Sequence, residues 1–396
     1  MKRLVPMIGA ALAVAAASAF EKIAYIDSFD YPTVHETETA EGTHRILDNV
    51  LKTGATTILW RNQSGAVPRY PSAEEARPLK EPPLDKRRIP LSEPVRGWVR
   101  FDDCGTNLIQ VAADDCARRG VRFGIHLTTE ENHWESWTLS PWNLEHPQFW
   151  CCARDGAPWF GRCSLAYDEV REHKLRLFDE LLALQPSMIY IDLCRSGGWA
   201  PNLEYVKPTE DEWRRLYGTE SPADWRDRRW TEIVERYTRR YYRELRARAE
   251  KTGRKVEIIM AIERAGEPRD FNYEQRAVDW RRLLREGIID GVAVACVQPD
   301  WNDMWGSTAR IYADIVRDVR AIGRGRVFFP IMSYNFWLRP GYPEYAKRAK
   351  ISEAEAVRRL LELAREAGGD GITMEVVDAS NYSPNVCKTI FSFDCQ

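Results

Sequence analysis

A (β/α)8 TIM barrel with long βα loops is the fold class this sequence predicts, and three observations predict it. Eight short β-branched runs recur along almost the whole chain: IAYID (23–27), TTILWR (56–61), RFGIHLT (122–128), MIYIDLC (188–194), VEIIMAIE (256–263), GVAVACVQ (291–298), RVFFPIMS (326–333) and GITMEVV (371–377). Each is nearly continuous in apolar residues, as a parallel strand covered on both faces must be. Long amphipathic helical segments separate them, and strands alternating with helices imply a parallel sheet. Eight such units suit closure into a barrel.

Taken in chain order, the first segment is a leader rather than a strand or helix of the fold. MKRLVPMIGAALAVAAASAF sets Lys2 and Arg3 before an apolar stretch and ends in Ala17-Ser18-Ala19. That is the charged region, apolar core and cleavage site of a secretory signal over residues 1–19, with a secreted or periplasmic mature chain. The apolar run is short and rich in Ala for a membrane span, so no stable membrane insertion is expected after cleavage. Residues 20–396 then form one elaborated barrel domain, within the size range of barrels with insertions.

The segments between strands split into two kinds. Gly253 and Gly323 close helices that precede strands five and seven, and Gly368-Gly369 does the same before strand eight. The last long helix opens with Ser352-Glu353-Ala354-Glu355, a capping box, and buries Val357, Leu360, Leu361 and Ala364. These short αβ connections belong at the bottom of a barrel, where they serve stability. The βα connections are long: 62–100 is rich in prolines and charges, 129–166 carries Trp134, Trp137, Trp142, Trp150 and Trp159, and 195–224 runs through Trp199 to Trp213. The first reads as an irregular excursion, and the aromatic content of the other two argues against disorder.

Composition narrows the partners. The net charge is −2 with no Lys/Arg block, which disfavours nucleic acid. Of nine cysteines, Cys194 and Cys296 fall within strand runs, whereas the group from Cys104 to Cys163 and the pair Cys387/Cys395 are the disulfide candidates in an exported chain. No histidine and cysteine spacing matches a zinc site, strand one lacks an HxH pair, and no G-x-S-x-G elbow occurs. No cofactor or metal is therefore expected. Asp300, Asn302 and Asp303 read as a solvated turn rather than a calcium site.

Barrels place their chemistry at the C-terminal ends of the strands. That rule selects Asp27, His126, Asp192, Glu263 and Glu375. Asp192 and Glu263 end neighbouring strands, which lie about 4.8 Å apart. Two carboxyl groups about 5–5.5 Å apart suit a retaining glycosidase, one as nucleophile and the other as acid/base. Arg195 or Arg264 beside a carboxylate would keep it ionised. Each acid also has a plain structural reading as a helix cap or ion-pair partner, and His126 as a satisfied structural histidine.

Fifteen tryptophans supply the second argument. Trp60, Trp134, Trp137, Trp199, Trp301 and Trp337 fall at or beyond strand ends, with Tyr334 after strand seven. Sugar rings pack their C–H faces on indole, and the indole N–H offers a donor. Some of these rings must instead fill the loop core. A rim of acids and indoles favours carbohydrate as the ligand.

On YIDLCR (190–195), MAIERAG (260–266) and the strand rhythm across 23–378, the chain resembles the TIM-barrel glycoside hydrolases, loosely those of the α-amylase superfamily. The resemblance implies Asp192 as nucleophile and Glu263 as acid/base. It also implies an Asp after strand seven, where this chain has Ser333-Tyr334-Asn335, so Glu375 or Asp378 would have to serve instead. The expectation is an exported retaining glycoside hydrolase acting on an oligo- or polysaccharide. The alternative is a carbohydrate-binding barrel without turnover. Carboxylates facing one pocket would favour the first, and carboxylates held in ion pairs the second.

Overall fold

The structure, a computed structural model, describes residues 20–26, 39–64, 67–68, 70–75, 106–128, 140–193, 201–263, 265–266, 270–331, 344–376 and 384–393. The leader expected over 1–19 lies outside the described residues, and among those described no helix is long and apolar enough to cross a membrane.

All eight predicted strands are present: β1 Glu21–Ile26, β2 Thr57–Arg61, β3 Arg122–Thr128, β4 Met188–Asp192, β5 Glu257–Ile262, β6 Gly291–Val294, β7 Arg326–Pro330 and β8 Gly371–Val376. They pair in parallel in sequence order, and β8 returns to β1 to close the barrel. The helices are α1 Ala40–Val50, α2 Leu108–Arg119, α3 Pro141–Glu145, α4 Asp168–Ala183, α5 Lys207–Tyr217, α6 Arg228–Lys251, α7 Phe271–Arg276, α8 Trp280–Arg285, α9 Met304–Ile322, α10 Glu344–Ala349, α11 Glu353–Glu366 and α12 Pro384–Ser392.

The alternation of side chains along a strand separates two cores. Ile58, Trp60, Ile125, Leu127, Ile189, Ile191, Met260 and Ile262 face the helices. Ile23, Leu59, Met188, Tyr190, Ile259, Ala261, Ala293 and Phe328 fill the barrel interior. Gly124 shows how tight that interior is: a Cβ there would stand 2.6 Å from both Leu59 Cδ2 and the Met188 carbonyl oxygen. The lowest interior layer is ionic, and it comes from the four odd-numbered strands, as barrel layers do. Arg122 reaches Glu21 at 2.6 Å and Glu257 at 3.0 Å, while Arg326 reaches the same two acids at 2.6 and 3.1 Å. Two cations and two anions thus form a closed ring at the bottom of the barrel.

The helix signals hold. Ser352 caps α11 by accepting from the Glu355 amide at 3.2 Å, and Gly323 ends α9 in the left-handed region at φ 81°. Two of the long βα connections carry regular elements among their described residues. The second contains α3 and an antiparallel pair, Trp150–Cys152 with Pro158–Cys163, and the third contains α5. Two buried glutamates staple these segments together. Glu75 accepts from Ser140 Oγ at 2.8 Å, the Trp142 amide at 3.0 Å and His173 Nε2 of α4 at 3.2 Å. Glu204 accepts from Ser164 Oγ and from Cys151 Sγ at 3.4 Å. Among the described residues no two cysteines are joined by a disulfide, and Cys104, Cys194 and Cys395 lie outside them.

Candidate active site

At the C-terminal end of the barrel the inward positions stop being aliphatic. Continuing the alternation upward from Ile23, Leu59, Gly124, Met188 and Ile259 brings Tyr25, Arg61, His126, Thr128, Tyr190, Asp192 and Glu263 to the inner side. On β5 and β6 the corresponding positions are Ala261, Ala293 and Ala295, so that wall carries only methyl groups.

Asp192 is 5% exposed, and its Oδ2 lies 2.9 Å from Nε2 of His126. His126 is itself 1% exposed. Its ring is wedged edge-on between Tyr25, 5.0 Å between centroids, and Tyr190, 5.4 Å. Those two tyrosines stack on each other at 5.9 Å. His126 pairs with Tyr190 in the β3–β4 register and Thr128 with Asp192, so the imidazole approaches the carboxylate from one layer below.

Glu263 follows the last residue of β5 and is held at three points by α7. Its backbone N–H donates to Asn272 Oδ1 at 3.0 Å, and Asn272 Nδ2 donates to its carbonyl oxygen at 3.2 Å. Arg276 Nη2 donates to Glu263 Oε2 at 3.2 Å, with the Arg276 guanidinium over the Phe271 ring at 5.4 Å. The short helix that carries both partners starts from Asp270, whose side chain accepts the Tyr273 amide at 3.2 Å. Ile191 pairs with Met260, which sets Asp192 level with Ala261 and Glu263 two residues higher. At about 3.3 Å per residue, Glu263 is therefore about 7 Å further along the strand direction. A groove of about 630 Å³ opens beside Glu263 toward α9, bordered by Asn272, Trp280, Gln298, Ile311 and Ile315.

The structure therefore brings together Asp192 and His126 of the expected site, with Glu263 on the adjoining strand two residues higher. It does not bring Trp60 there: the indole is 2% exposed and packs with Ile58 and Ile125 against the helices. Strand alternation is the reason, since Trp60 and Arg61 face opposite sides and the inner one is Arg61. Trp301 is 36% exposed on the turn before α9, under Arg348 at 4.5 Å and beside Tyr345 at 5.5 Å. Asp27, Trp134, Trp137, Arg195, Trp199, Arg264, Tyr334, Trp337 and Asp378 lie outside the described residues. Glu375 belongs to β8 and its backbone pairs with Tyr25, but its side chain lies outside the described residues.

Other loop tryptophans form loop core. Trp142 stacks on His173 at 4.1 Å and on His146 at 4.2 Å. The Trp150 indole donates to the Asn143 carbonyl at 2.7 Å, and that of buried Trp213 donates to the Glu220 carbonyl at 2.9 Å. Asp300 caps its own turn, accepting from the Asn302 amide at 2.9 Å, while Asp303 pairs with Arg310. Sequence reasoning missed Arg61, Tyr25 and Tyr190, which share a strand face with Leu59, Ile23 and Met188 by period-two alternation, while only barrel closure shows that this face is the inner one. It also missed Asn272 and Arg276, for which no local signal exists.

No family model and no curated protein matches this chain. Solved structures do. The glycoside hydrolase domain of PgaB (BpsB) from Bordetella bronchiseptica aligns at TM-score 0.56 and 11% identity, covering 91% of this chain and 95% of that one. The catalytic domain of β-amylase from Paenibacillus polymyxa aligns at TM-score 0.56 and 12% identity, with 94% and 95% coverage. α-L-Fucosidase isoenzyme 2 from Paenibacillus thiaminolyticus aligns at TM-score 0.58 and 10% identity over 95% of this chain and 49% of its own. At such identities the likeness is one of fold: this chain shares the TIM barrel of these glycoside hydrolases.

Proposed function

We propose that the protein is a glycoside hydrolase acting on an oligo- or polysaccharide at the C-terminal mouth of the barrel. The observation that carries the reading is the pair of buried carboxylates, Asp192 and Glu263, on adjoining strands, each oriented by a dedicated donor. In a retaining cycle Asp192 attacks the anomeric carbon, and Glu263 protonates the departing oxygen and then takes a proton from water. The His126 N–H supports the ionised Asp192 that attack requires. Arg276 likewise favours the anionic Glu263, the form needed as base in the second step. The acid form of the first step has to be gained against that ion pair.

The same ion pair favours a second reading, a barrel that binds carbohydrate without turning it over, because both acids are already occupied. A panel of p-nitrophenyl glycosides and oligosaccharides, scored in parallel for product release and for binding, separates the two. Release supports the hydrolase, binding without release supports the second reading, and neither would sink both. Export belongs with this proposal, since Lys2-Arg3, the apolar stretch after them and Ala17-Ser18-Ala19 have the pattern of a secretory signal. N-terminal sequencing of secreted protein should start at Phe20, and a mature chain retaining Met1 removes the case for cleavage.

A further inference from the structure

We propose that His126 is a positioning residue that works through Asp192 and does not touch the sugar. The inference rests on the reading of Asp192 as the attacking carboxylate. At 1% exposure the imidazole offers a substrate no atom. Its Nε2 is already engaged with Asp192 at 2.9 Å. Its Nδ1 is buried and has no hydrogen-bond partner among the described residues.

An ionised carboxylate only accepts, so the imidazole proton must sit on Nε2. The ring cannot turn away, because Tyr25 from β1 and Tyr190 from β4 press on it edge-on. The charged or titratable groups around it are then Asp192 in contact, these two phenols, and Arg61, which is level with it in the β2–β3 register. The consequence for Asp192 is twofold. One oxygen is pinned by the imidazole, which fixes the plane of the carboxylate, and a donor N–H offsets the cost that burial places on it. An approach angle fixed in this way matters, since small misplacements of a reacting group can cost about a hundredfold in rate.

The test uses the full mature chain and two variants: His126→Phe, which keeps a flat ring and removes the donor, and His126→Gln, which restores a donor on a flexible chain. The probe is whichever p-nitrophenyl glycoside the wild type turns over fastest in the panel. His126→Phe should lower kcat by about a hundredfold with KM changed by no more than about twofold. The acidic limb of its pH–rate profile should move upward, because the buried Asp192 has lost the donor that favours its ionised form. His126→Gln should recover part of the kcat and return the limb toward its wild-type position.

A raised KM at unchanged kcat would place His126 on the substrate and overturn the proposal. So would a kcat loss in which the acidic limb stays put and His126→Gln gives no recovery, the signature of a merely structural residue. If His126→Phe does not fold, His126→Gln alone carries the limb comparison. Nitrogen-15 NMR of the imidazole decides the contact without any activity. The wild type should carry its proton on Nε2, with a resonance that shifts in Asp192→Asn. A proton on Nδ1, or no response to Asp192→Asn, refutes the positioning role, whereas a wild type inert toward every glycoside refutes only the hydrolase reading.

Discussion

Asp192 and Glu263 are held by partners of different kinds, and the difference sets what each can do. Asp192 receives a hydrogen bond from an imidazole in a buried layer, whereas Glu263 faces a guanidinium that carries a full charge. Asp192→Asn should abolish turnover on every glycoside while leaving glycan binding intact, because the amide keeps the shape and loses the nucleophile. Glu263→Gln should fall by roughly 10²–10⁴ on substrates with poor leaving groups, which need a proton at the departing oxygen. An activated aryl glycoside should escape that penalty in its first step, and azide should rescue the second. Leaving-group series measured on both variants check this, and an activity that survives both substitutions would move the assignment to Glu375.

At the scale of elements, the start of α11 carries a built-in conflict. Glu353 occupies the first helical position after the Ser352 cap, where the helix terminus favours negative charge. Yet it is 8% exposed, Oε1 has no hydrogen-bond partner among the described residues, and burial pushes its carboxyl from the ordinary 4.5 up to about 7. The folded chain thus holds a proton there that the unfolded chain has already released. Stability from this group is greatest below about pH 4.5 and declines as pH rises through 7, where the buried carboxyl must ionise. Glu353→Gln should therefore stabilise the protein on the order of 1–3 kcal/mol above pH 8 and leave it unchanged near pH 4. Urea titrations at the two pH values measure the difference, and an equal effect at both would remove the account. The α7 element shows the opposite design, with Asn272 and Arg276 both committed to Glu263.

Over the whole molecule, the two ends of the barrel interior differ in kind. The bottom is sealed by Glu21, Arg122, Glu257 and Arg326, whose charges are mutually satisfied. The middle is aliphatic and aromatic, and the top carries Arg61, His126, Asp192 and Glu263 against a wall of alanines. The eight strands could be read from the chain because each buried both faces, so apolar continuity marked them without any knowledge of neighbours. The acids at strand ends could be read for the same reason: a charge terminating an apolar run has to lie on a rim. Strand count alone put Asp192 and Glu263 on neighbouring strands, but not the two-residue offset between them.

What local pattern could not decide was direction and pairing. Trp60 and Arg61 are adjacent in sequence, and only barrel closure settles which of them faces the interior and which the helices. Arg276 lies 13 residues beyond Glu263 on a short helix, and His126 lies 66 residues before Asp192, so neither partnership leaves a mark in any window of sequence. Glu75 and Glu204 look like surface charges in loops and are instead buried staples, because their partners come from segments that meet only in the folded chain. Periodicity records how much of each segment is buried, and that much the sequence by itself determined. Which buried polar group meets which is a long-range contact, and only the tertiary structure decided it.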